Sequence, residues 1–76
     1  MSGNVRLATI TLVCANQAIV KTQTNVKYSF DYIDRSVWGE PKAPEVGESV
    51  IIEETTRTKT GMRATKVRYP KLKDAI

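Results

Sequence analysis

The sequence predicts an all-β chain, folded as one small closed barrel of five antiparallel strands. Three observations carry this expectation. β-Branched and aromatic residues gather in five short runs separated by polar or turn-prone breaks. None of the runs shows the 3.6-residue apolar period of an amphipathic helix. The connections are short except for one, between the third and fourth runs, which is the spacing a small barrel needs. At 76 residues the chain is a single domain, 1–76, with flexible ends expected at 1–4 and 71–76.

The first strand is expected over Arg6–Ala15 (RLATITLVCA), with Ile10, Leu12 and Cys14 on one side and Leu7 and Val13 on the other. Asn16 and Gln17 interrupt it, and Ala18–Thr22 (AIVKT) resumes as the second strand. The third strand, Val26–Tyr32 (VKYSFDY), has the cleanest alternation in the chain. Val26, Tyr28, Phe30 and Tyr32 share one face, and Lys27, Ser29 and Asp31 share the other. Three aromatics on one face supply much of the core so small a domain requires, with Tyr32 expected to be partly exposed.

Residues 34–48 (DRSVWGEPKAPEVGE) form the long irregular connection. Asp34 or Ser36 can cap a single turn there, but Gly39, Pro41 and Pro44 forbid a longer helix. Trp38, the only tryptophan, either plugs one end of the core or offers a stacking or docking surface. The chain ends in a hairpin, with strands over Ser49–Glu54 and Met62–Tyr69. Gly61, at the end of the intervening RTKTG, can adopt a positive φ at little steric cost. Pro70 then stops the last strand, because it has no N–H to give a ladder.

Composition narrows the chemistry. A single cysteine excludes an internal disulfide, and without histidine Cys14 makes no zinc site. Cys14 is expected to be a small buried hydrophobe, and a lone thiol suits a reducing, cytoplasmic setting. No apolar stretch is long enough for a transmembrane helix, and no membrane partner is expected. No Gly-rich phosphate loop and no carboxylate pair suited to acid–base work is present, so neither an enzyme nor a cofactor is expected.

The net charge of +4 is unevenly laid out. Between Thr55 and Lys73 there are seven bases and no acid, whereas seven of the eight acids lie between Asp31 and Glu54. Such a layout presents a basic patch able to track phosphates, or a dipolar surface able to dock on a protein.

The stretch Pro44, Val46, Gly47, Glu48, Val50, followed by Gly61, Ala64 and Val67, resembles the last two strands of a cold-shock domain, the five-stranded OB barrel. Val26–Asp34 (VKYSFDYID) looks like that family's third strand and its following turn. The resemblance implies an OB-type barrel and binding of single-stranded RNA or DNA. The family's aromatic motif on the second strand is replaced here by Gln17–Lys21 (QAIVK), and the outward positions of the third strand are Lys27, Ser29 and Asp31. Binding would then rest on charge ahead of stacking. The candidate nucleic-acid-binding residues are Lys21, Lys27, Arg57, Lys59 and Arg63 for phosphates and Trp38 for stacking. The competing expectation is a small regulatory adaptor whose barrel binds a protein. Aromatics facing solvent on the second and third strands would favour nucleic acid, and mixed charges there would favour a protein.

Overall fold

The computed structural model describes residues 6–71. Five strands form: β1 Arg6–Val13, β2 Gln17–Thr22, β3 Lys27–Asp31, β4 Ser49–Thr58 and β5 Gly61–Arg68. They close in the order β1-β2-β3-β5-β4, the arrangement of an OB-type barrel. Four seams are antiparallel, and the fifth, between β3 and β5, is parallel. The all-antiparallel expectation is corrected on this seam, because alternating strand directions cannot close a ring of odd number. The expected flexible ends lie outside the described residues, Lys71 excepted. Among the described residues no helix is long and apolar enough to cross a membrane.

The core is filled by Phe30, Ile10, Ile52, Val20 and Val50, all fully buried, with Ala8, Ala18, Tyr28, Trp38, Ala64 and Val67 around them. In β1 the register slips between Ile10 and Leu12, so that Ile10 faces Val20 but Leu12 faces Ile19. A bulge of this kind shifts the alternation by one residue. Leu12 therefore turns out to solvent, and Val13 packs on the core. The strand stops at Val13 rather than Ala15, and the Cys14 N–H donates to the Gln17 carbonyl at 2.7 Å to close the turn. Cys14 is exposed, which corrects the expectation of a buried thiol.

On β3, Tyr28 and Phe30 are core as expected, while Val26 precedes the strand and is exposed. Tyr32 lies just past the strand, partly buried, and donates its hydroxyl to the carbonyls of Cys14 and Ala15 at 2.6 and 2.7 Å. Asp34 caps one turn: its carboxylate accepts from the Ser36 hydroxyl and N–H, which holds its pKa below the usual carboxylate value. The N–H groups of Val37 and Trp38 return to the Asp34 carbonyl, each at 2.9 Å.

That turn delivers Trp38 to the barrel end, where it is 3% exposed. Its ring lies 5.5 Å from Phe30 and meets Tyr69 edge-on at 5.0 Å, within the range of favourable aromatic pairs. The indole N–H donates to the Lys42 carbonyl at 2.8 Å, so the buried polar atom is satisfied.

The final hairpin is longer than the apolar pattern predicts. β4 continues through Glu54 to Thr58, and only Lys59 and Thr60 form the turn. Gly61 has φ of 139°, which a β-carbon would oppose. The Thr58 hydroxyl donates to the Gly61 carbonyl at 2.9 Å and accepts from the Thr60 N–H at 3.3 Å, pinning the turn.

Candidate nucleic-acid interface

With Ala18, Val20 and Thr22 of β2 and Tyr28 and Phe30 of β3 directed inward, the opposite parity faces solvent. In register, Gln17 faces Asp31, Ile19 faces Ser29, and Lys21 faces Lys27. Ser29 is in turn the partner of Arg63, and Arg63 the partner of Thr56. One row thus runs Ile19–Ser29–Arg63–Thr56 across four strands, with Lys21 and Lys27 forming the next row beside it. Strand geometry separates Lys27 from Arg63 by roughly 8 Å between Cα atoms.

Directly opposed lysines repel, and on a sheet such a pair ordinarily detracts from stability. No ion pair within the described residues engages Lys21, Lys27 or Arg63. The nearest carboxylate on this face of β3 belongs to Asp31, at the far end of the strand. It is occupied in accepting the Ile33 N–H at 3.0 Å.

The partnership of Ser29 with Arg63 is the whole of the β3–β5 register, and the first residues of both strands flank a groove beside it. The groove has a volume of about 270 Å³. Ile19, Lys27 and Ser29 border it on one side, and Thr58, Thr60 and Arg63 on the other. Met62 contributes from the inner layer, and no acid among the described residues lines the groove.

The structure therefore brings together Lys27 and Arg63, with Lys21 adjacent. Lys59 stands at the hairpin tip, exposed and outside the groove. Arg57 is the register partner of Met62, one position out of phase with Thr56 and Arg63, and so emerges from the other face of the hairpin. Trp38 is in the core, bridged to Val67, and has no free face for a base. Its reading as a core plug holds, and the stacking role is withdrawn. Two other bases of the acid-free stretch meet acids from β4: Arg68 binds Glu53 at 2.7 Å, and Lys66 faces Glu54 across the ladder.

Ile19, Thr58, Thr60 and Met62 escaped the sequence reading. Their proximity depends on the parallel seam and on the extension of β4, and neither is marked by a local residue signal.

The opposite end of the barrel is acidic. β3 and β5 both start at the groove and run toward the 32–48 connection, which carries Glu40, Glu45 and Glu48. Glu48 accepts from Lys42 Nζ at 2.8 Å, from the Tyr69 hydroxyl at 2.7 Å and from the Glu45 N–H at 2.9 Å. These donors, Lys42 foremost, hold its pKa down at about 2. The same contact raises Lys42 above its ordinary value. Burial, with Glu48 adding to it, pushes Tyr69 up to about 12. The Glu40 carboxylate accepts the Tyr69 backbone N–H at 3.1 Å.

No family model matches the chain, and no curated protein or solved structure matches it.

Proposed function

We propose that this chain is a non-enzymatic nucleic-acid-binding module. It would hold single-stranded RNA or DNA chiefly by phosphates on the outer face of β2, β3 and β5, in the service of transcriptional or translational regulation. The supporting observation is the Lys21–Lys27 pair joined by Arg63, three cations on one face that form no ion pair among the described residues. A polyanion relieves that repulsion. Ser29 and the hairpin threonines add neutral donors of the kind that contact phosphate oxygens. The likeness of 44–67 to the end of a cold-shock domain points the same way.

The test is fluorescence anisotropy of a labelled single-stranded RNA or DNA, titrated with protein at two salt concentrations. Micromolar binding that weakens steeply with salt is expected. Failure to bind at low salt would sink the reading.

A specific observation favours a second reading, a regulatory adaptor docking on a protein: no aromatic ring faces solvent from β2 or β3. The acidic connection at one end and the basic groove at the other would then steer a complementary partner. Capture of a protein partner, lost on reversing the charge of Lys27, together with indifference to oligonucleotides, would establish it.

A further inference from the structure

The groove beside the β3–β5 seam has a composition that phosphate binding alone does not require. Its cations stand on the β3 and β5 edges, yet Ile19 walls it and Met62 reaches it from the inner layer. Ile19 occupies an outward position of β2 that is only partly covered, flanked along the strand by Gln17 and Lys21. An aliphatic side chain there adds nothing to the core cluster. It does offer a flat apolar wall beside two cations.

Resting on the nucleic-acid reading above, we propose that this groove is a subsite for one unstacked nucleotide. Its base would lie against Ile19 and Met62, and its phosphate would lie between Lys27 and Arg63. Every base has an apolar face, so the wall of Ile19 and Met62 accepts it by dispersion and desolvation, and the buried Tyr28 also lines the groove behind it. The groove, of about 270 Å³, is open to solvent along the seam, so a single unstacked nucleotide can enter it from outside. Ser29, Thr58 and Thr60 provide hydroxyls that can donate or accept at a base edge or a sugar. The subsite is thereby selective for single strands, because a base inside a duplex cannot leave its stack to reach Met62 without a cost of a few kcal/mol.

Met62 and Met1 are the only methionines, so a methyl-labelled protein gives one resonance at the proposed base position and one from Met1. The experiment titrates [methyl-¹³C]methionine protein with hexauridylate, with hexaadenylate and with inorganic phosphate, while anisotropy follows the binding of labelled hexamers. The base ring current is expected to move the Met62 methyl upfield, saturably, with either hexamer but not with phosphate. Ile19→Thr is expected to weaken hexamer binding about fivefold with the salt slope unchanged. Arg63→Gln is expected to lower the slope by about 0.7.

If the hexamers bind by anisotropy but the Met62 methyl stays in place, or Ile19→Thr binds like the parent, the base lies elsewhere. The subsite is then refuted, and the nucleic-acid reading stands. Absence of any hexamer binding at low salt refutes both.

Discussion

Tyr69 donates its hydroxyl to Glu48 Oε1 at 2.7 Å, tying the residue after β5 to the residue before β4. The contact fastens the 32–48 connection over the barrel end that Trp38 fills. Lys42 completes the clamp, with its ammonium on Glu48 and 5.6 Å from the centre of the Tyr69 ring. A connection without regular structure is thus held by side chains of both its own residues and the last strand's neighbour.

The clamp predicts a stability profile with two edges. Glu48 is depressed from the usual 4.5 to about 2, so its contribution is full above pH 4.5 and is lost as pH falls toward 2. Tyr69 is raised from 10.0 to about 12, so its contribution is full below pH 10 and is lost as pH rises toward 12. Lys42, also raised, fades on the same alkaline side. Thermal melts across these ranges should show both declines. Glu48→Gln should lower the melting temperature at neutral pH and flatten the acid decline, and Tyr69→Phe should flatten part of the alkaline one. A parent protein whose melting temperature is level from pH 5 to 2 would contradict the assignment to Glu48.

Trp38 governs stability rather than affinity. Truncating a buried tryptophan costs about 3–5 kcal/mol, a large share of what a small domain has. Trp38→Ala should therefore be largely unfolded, and any loss of oligonucleotide binding should track the folded fraction. Trp38→Phe, which keeps a ring against Phe30 and Tyr69, should fold and bind as the parent does. Native emission should be blue-shifted and resist acrylamide, and added oligonucleotide should leave it nearly unquenched.

How much of this was legible beforehand follows from which interactions are local. The five strands and the inward stripe of Tyr28 and Phe30 could be read directly, because a period of two needs only neighbouring residues. The bulge at Ile10–Leu12 could not, since nothing in ATITLV marks which residue is to be extra. Plain alternation puts Cys14 on the side of Ile10, and the bulge leaves it exposed. The apolar pattern of β4 ends at Glu54, because the polar run ETTRT looks like a loop. In the fold its backbone pairs with β5 whatever its side chains do. In the sequence Lys27 and Arg63 are two separate cations. That Ser29 joins them, and that Arg57 does not, is a property of register 34 residues apart in sequence. The sequence around Trp38 suits core and surface alike, and only the turn capped by Asp34 decides which way it points.

The exposure of Cys14 makes its own prediction. The thiol lies in the β1–β2 turn, its backbone N–H engaged and its residue open to solvent. A thiol reagent should modify the folded protein about as fast as the denatured one. Cys14→Ser should change stability by no more than about 0.5 kcal/mol, as for other exposed substitutions away from caps and core. Strong protection of the thiol in the native state would show that β1 continues its alternation through Leu12.

The opposed lysines supply the most discriminating test, because stability and binding should move in opposite directions. Lys27→Glu converts the Lys21–Lys27 repulsion into an attractive cross-strand pair, a gain of about 0.2–1 kcal/mol for such pairs. The variant should therefore melt higher than the parent. It also removes one phosphate contact and places a carboxylate next to Arg63, so single-stranded oligonucleotides should bind more weakly, with a salt slope smaller by at least about 0.7. Lys66→Glu, placed opposite Glu54, is the control: it lowers net charge equally but lies outside the groove, and it should leave the slope nearly intact. If Lys27→Glu and Lys66→Glu weakened binding equally, the effect would belong to net charge and not to the β2–β3–β5 face.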